Sequence, residues 1–230
     1  MSDNTTLVIP HIPKTGGQSL RHYFNEHLVF NQTFIHLGPW GRNMCMQNDL
    51  TVWQEQSYAD RHKAKVVFGH QVYRDEIRQL IPDNQLVYAI NFREPAERWV
   101  SDYNFKLAIE TIASTTDFWD YFYTYSNQNE LTNFVWHQYL QESSLPTDEM
   151  LEKVITELSS LDCIGVLERY QNFLDWVSTF LGLPKVEKKY NVSGVSHPKK
   201  MDITEEIRIQ IKKNCVADYR LYDWVLEHAI

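Results

Sequence analysis

The chain has 230 residues, 43% hydrophobic and 23% charged, matching an ordinary soluble protein able to bury a real core in one α/β domain spanning residues 1–230. A net charge of −8 excludes the broad basic surface of a general nucleic-acid binder, so an anionic ligand must be held by a local cluster, and a densely anionic polymer is a poor acceptor. Cys45, Cys163 and Cys215 are scattered and in no CxxC spacing, so neither a disulfide framework nor a zinc site is indicated; with no leader-like N-terminus and no apolar run of ~20 residues, a cytoplasmic protein without a transmembrane segment is expected.

Apolar runs alternate with amphipathic stretches, the pattern of an open parallel sheet flanked by helices. Leu7–Ile12 reads as the first strand, followed by a glycine turn and a helix from Gly17 to Leu28. Pro10 is awkward inside a central strand, so the strand either ends near Ile9 or is locally distorted. Further strands are predicted at Thr33–Leu37, Lys65–Gly69, Gln85–Phe92 and Cys163–Leu167. Helices are predicted over 96–108, 116–125, 130–141, 147–160, Glu168–Leu181, 203–213 and 216–228, with Pro95 in the first turn of its helix and Gly182 closing another. The excess of helices at the C-terminal side forms an extra helical segment. Residues 185–200 read as a basic, polar loop.

Two segments carry the chemistry. Lys14-Thr15-Gly16-Gly17-Gln18-Ser19 follows an apolar strand and opens a helix. Glycines let backbone N–H groups approach an oxyanion, the helix N-terminus adds positive potential, and Lys14, Thr15 and Ser19 add a charge and two hydroxyls. The lysine precedes the glycines, unlike the Walker spacing. The second segment runs from Phe92-Arg93 to Tyr103. Arg93 stands at a strand end, where an open parallel sheet presents its ligand crevice, and Ser101 lies two turns into the next helix, at i+3 from Arg98. An arginine and a hydroxyl converging from strand and helix suit a terminal phosphate. Glu94, four residues before Arg98, offers that arginine a surface partner instead.

His11-Ile-Pro-Lys-Thr-Gly-Gly17 and Arg93-x-Pro-x-x-Arg-x-x-Ser101-x-Tyr103 resemble the paired donor-binding motifs of the carbohydrate sulfotransferases that use PAPS (3′-phosphoadenosine 5′-phosphosulfate), in particular the heparan sulfate 2-O-sulfotransferase-like group. The motifs stand in family order about 80 residues apart, and the resemblance extends to Phe68-Gly-His-Gln71, Gly165-Val-Leu-Glu168 and Asn191-Val-Ser193. It implies a P-loop-like fold and PAPS as donor, leaving adenosine 3′,5′-bisphosphate as product. Lys14, Thr15, Gly16, Gly17, Gln18 and Ser19 would hold the 5′-phosphosulfate, although Gln18 departs from the threonine frequent in relatives. Arg93 and Ser101 would hold the 3′-phosphate. The basic loop resembles a family segment that folds over the nucleotide, so Lys199 or Lys200 would close the site.

Sulfuryl transfer needs a base for the acceptor hydroxyl and positive charge for the leaving phosphate, but no metal in principle. His70, after the strand ending at Gly69, is the candidate base, since a histidine pKa of about 6.5 suits proton abstraction near neutrality. The family uses a histidine in this Gly-His context for that role. Lys14 would meet the leaving-group charge. His36, in the second apolar run, is a candidate contact to the acceptor, which is expected to be a glycan, glycolipid or small metabolite. Trp40, Trp53, Tyr73, Trp119 and Tyr123 offer stacking surfaces but serve packing as readily. Two other readings stay open: a P-loop kinase-like phosphotransferase requiring Mg²⁺ and ATP, and a non-catalytic nucleotide- or glycan-binding protein.

Overall fold

In the computed structural model, residues 4–38, 50–125, 128–142, 148–185 and 201–230 are described. Five parallel strands, β1 (Thr5–Pro10), β2 (Phe34–Leu37), β3 (Val66–Gly69), β4 (Gln85–Phe92) and β5 (Cys163–Val166), form one sheet in the order β2-β3-β1-β4-β5. The helices are α1 (Gly17–His27), α2 (Leu50–Gln54), α3 (Tyr58–Arg61), α4 (Arg74–Leu80), α5 (Pro95–Ala108), α6 (Phe118–Tyr123), α7 (Glu130–Asn133), α8 (Asp148–Leu158), α9 (Tyr170–Leu181), α10 (Glu205–Asn214) and α11 (Val216–His228). A π-helical stretch, Phe134–Tyr139, continues α7, and a 3₁₀ turn, Leu167–Arg169, precedes α9.

Alternation along the strands sorts the core into two faces. Leu7 and Ile9 of β1, Val66 and Phe68 of β3 and Val87 and Ala89 of β4 pack against α1 and α9. Val8, Val67, Tyr88, Ile90 and Phe92 point the other way, toward α4, α8, α11 and the π-helical stretch. A third apolar cluster joins α5, α6 and α10 around Trp99. The connection leaving β1 therefore runs over one face through α1, while those leaving β3 and β4 run over the other. Such a reversal opens a crevice at the C-terminal ends of the strands. The segments after β1, β3 and β4 all reach it.

Pro10 ends β1 without distortion. Leu7 and His11 donate their N–H groups to Lys65 and Gly69 on the β3 side, so position 10 faces β4, where the register stops at Val8↔Tyr88. A missing N–H there costs no ladder bond. The stretch expected as one helix over 130–141 has a single α turn before the π turns, which bury Phe134, Val135, Trp136 and Tyr139 within six residues. α4 has no counterpart among the predicted elements: only Ile77 of its seven residues is buried, too little to register as a period. α2 and α3 likewise have no counterpart among the predicted elements.

Candidate active site

The β1–α1 turn is built to expose backbone donors. Lys14 (φ 72°) and Gly16 (φ 94°) take left-handed conformations, and α1 begins without a side-chain cap or an acidic residue in its first turn. Left-handed residues next to a helix start turn successive N–H groups to one side, and the uncapped end leaves them for a ligand. The other side of the turn is pinned by neighbours. Thr15 Oγ1 donates to Ile12 O at 2.9 Å, Asn91 Nδ2 to Thr15 O at 2.6 Å, and the Tyr170 hydroxyl to Gly16 O at 2.7 Å. A Cβ on Gly17 would lie 2.0 Å from the His11 ring, so only glycine lets helix and ring approach this closely. Ser19 Oγ is buried beside the Tyr170 hydroxyl, which donates to Gly16 O, and Gln18 is exposed. A buried hydroxyl in the first turn of a helix fits a site completed by an anion's oxygens.

Lys14 carries its ammonium 3.9 Å from the Phe105 ring centre, a cation–π contact that aims it along α5. Burial, reinforced by the charges of Arg93 and Arg98 and opposed by Asp102, lowers its pKa to about 8. Arg93, at the end of β4, reaches the same turn: Nη1 donates to Lys14 O at 3.3 Å and Nη2 pairs with Glu97 at 3.2 Å. Ser101 is half-buried on α5. Arg98 is not part of a surface charge cluster. Glu94 and Glu97 pair with Arg208 of α10, whereas Arg98 turns inward, 3% exposed, 4.7 Å from the Trp99 ring centre, with Nε and Nη2 free of protein partners.

The end of β3 brings His70 to the crevice beside this turn. Its Nδ1 lies 2.7 Å from the His11 carbonyl oxygen. A carbonyl only accepts, so Nδ1 carries the proton and neutral His70 has its lone pair at Nε2. Burial lowers its pKa below the ordinary histidine value, partly opposed by that hydrogen bond. The His11 ring stacks between Phe68 (5.0 Å) and His70 (4.6 Å) and is held neutral by burial and by His70 and His36. His36 is 2% exposed and tilted over Phe68 at 5.2 Å, which leaves little surface for contact with an acceptor. Lys199 and Trp40 lie outside the described residues. Trp53 is fully buried, while Tyr123 is exposed.

The sequence reading missed Asn91, Tyr170, Phe105 and Asp102. Asn91 had a usable signal, a polar residue within the apolar run Tyr88–Phe92, where burial demands a partner. Tyr170 and Phe105 had none, being aromatics on amphipathic helices. Asp102 is 9% exposed, accepts from the Tyr121 hydroxyl and pairs with Lys106 at 3.2 Å. Beyond it, α5, α6 and the segment between them form an open cleft of about 630 Å³ lined in part by Phe105. Among the described residues no cluster of His, Cys, Asp or Glu could hold a metal ion, and no helix is long and apolar enough to cross a membrane.

No protein-family model matches this sequence, and no curated protein matches it. Among solved structures, the chain is similar to a sulfotransferase from Alicyclobacillus acidocaldarius, with a TM-score of 0.54 and 14% identity over 98% of this chain and 97% of that one. It is also similar to mouse sulfotransferase SULT7A1 complexed with PAP, with a TM-score of 0.43 and 12% identity over 94% of this chain and 67% of that one. The five-stranded parallel sheet flanked by helices is thus the α/β, P-loop-like fold seen in the bacterial sulfotransferase.

Proposed function

We propose that this chain is a PAPS-dependent sulfotransferase. The observation that carries the reading is one junction: the Lys14–Ser19 turn, the Arg93 guanidinium bonded to Lys14 O, and His70 bonded to His11 O meet at adjacent strand ends. The backbone donors of the turn, Lys14 and the buried Ser19 hydroxyl fit a 5′-phosphosulfate. Arg93 and Ser101 are assigned to the 3′-phosphate, with Arg93 exchanging its present contacts for the stronger charge of the ligand. Closure by Lys199 remains part of the proposal.

The donor supplies a sulfuryl group on a phosphate leaving group. His70 Nε2 takes the acceptor proton as the acceptor oxygen bonds to sulfur. The Lys14 ammonium meets the charge left on the phosphate oxygen as the sulfur–oxygen bond breaks. The His11 carbonyl holds His70 in the required tautomer and, once His70 is an imidazolium, still accepts its Nδ1 proton. The resemblance implies a carbohydrate, a glycolipid or a small metabolite as acceptor, and the cavity beside α5 favours the last. The buried thiols Cys163 and Cys215 accord with a reducing, cytoplasmic setting.

The test is transfer from radiolabelled PAPS to a panel of glycans, lipids and small alcohols, comparing wild type with His70→Ala. The variant is expected to lose transfer by about a hundredfold or more while adenosine 3′,5′-bisphosphate affinity changes little. A variant that transfers at the wild-type rate would remove His70 as base. ATP consumption in Mg²⁺ with no transfer from PAPS would favour the kinase reading.

A further inference from the structure

Resting on the sulfuryl-transfer reading, we propose that the cavity between α5 and α6 is the acceptor site, and that it takes a small hydroxyl compound with a hydrophobic body rather than a sugar. The volume, about 630 Å³, is that of a small-molecule site. Phe105 joins it to the reaction centre, because the residue that lines the cavity also seats the Lys14 ammonium 3.9 Å from its ring centre. An acceptor held against Phe105 is therefore next to the charge assigned to the leaving group.

The lining decides the chemistry. Phe105, Ile109, Ile112, Tyr121 and Tyr125 supply apolar and aromatic surface, and Lys106 is the one charged group among the described lining residues. That charge is spent inside the wall: Lys106 Nζ bonds to the Tyr125 hydroxyl and pairs with Asp102 at 3.2 Å. The Tyr121 hydroxyl donates to Asp102 and lies 3.1 Å from that of Tyr125. Two lining threonines bond their hydroxyls back to the main chain, Thr111 to Lys106 O at 3.2 Å and Thr124 to Tyr121 O at 2.6 Å. A sugar brings a hydroxyl on nearly every carbon, and each one turned against the wall without a partner costs about 1–3 kcal/mol. This wall has few groups left to meet them. A polyanionic glycan fares worse, since the single lysine is already neutralised. A ring-bearing alcohol gains from burial against Phe105 and Ile112 and needs only one polar exit, toward Lys14.

Calorimetry on the full chain tests this with three probes: 2-naphthol, cellobiose and adenosine 3′,5′-bisphosphate, the first two titrated with and without the third. Ile109→Asp puts a carboxylate on the cavity wall at a half-exposed position that tolerates it, and Ile112→Trp fills the space. We expect 2-naphthol to bind more tightly than cellobiose, and both variants to weaken it about tenfold or more. Bisphosphate binding without 2-naphthol binding, tighter cellobiose than 2-naphthol, or 2-naphthol affinity unchanged in both variants would overturn the acceptor proposal alone. Binding of 2-naphthol that both variants weaken, with no binding of the bisphosphate, would keep the cavity as a hydrophobic-ligand site and remove the donor reading instead.

Discussion

A backbone carbonyl sets where His70 keeps its proton. With Nδ1 donating to His11 O, the nitrogen left with a lone pair is Nε2, and burial favours the neutral ring. Lys14 is shifted in the opposite functional sense, since burial brings its ammonium down to about 8 while the reaction needs the charged form. The signs follow directly. The neutral form of His70 is lost as pH falls through a value below the ordinary 6.5 or so, and the charged form of Lys14 is lost as pH rises through about 8. The kcat/KM profile is therefore expected to be a bell with its acid limb below the normal histidine range and its alkaline limb near 8. An alkaline limb at the ordinary lysine value, about 10.4, would show that Lys14 is not the group being titrated. The placement of His70 and Lys14 just past strand ends was legible in the sequence because each follows an apolar run. The tautomer was not, because it depends on His11 O, whose approach only β1–β3 pairing creates.

Buried charge organises the helical elements around α5. Asp218 of α11, fully buried, accepts the N–H groups of Leu131 and Thr132 and the Thr132 hydroxyl, so it caps α7 from another element. Burial raises its pKa to about 6, with these bonds and the Arg98 charge acting the other way. Asp218→Ala would leave three buried donors unmet and remove a counter-charge for Arg98. A loss of about 3 kcal/mol is expected, measured as a lower midpoint in urea unfolding; a change under about 0.5 kcal/mol would show that solvent replaces the cap. Such caps account for the unevenness of the sequence reading. β4 was placed over Gln85–Phe92 because its apolar run, broken only at Asn91 after Leu86, is closed by Arg-Glu-Pro. The cap at the start of α7 was hidden, because the carboxylate that supplies it lies about 90 residues away in α11.

At the scale of the whole molecule, parallel pairing in the order β2-β3-β1-β4-β5 brings the ends of β3, β1 and β4 side by side. Segments more than 20 residues apart in the chain thereby meet at one crevice: Lys14 to Ser19, His70 and Arg93. The order of the motifs already implied a nucleotide-type sheet, since each lies just past an apolar strand. The acceptor cavity was hidden from the sequence because it is made by packing between α5 and α6, and its residues carry no spacing of their own. An overall charge of −8 gives the molecule no general attraction for anions, so affinity for the donor must come from this crevice alone. The most direct measurement is the ratio of calorimetric affinities for adenosine 3′,5′-bisphosphate and AMP. The account predicts a clear preference for the bisphosphate, with Arg93→Ala reducing it by about tenfold or more through loss of a charge-assisted contact worth about 1.5–3 kcal/mol. Equal affinity for the two nucleotides in the wild-type protein would contradict it.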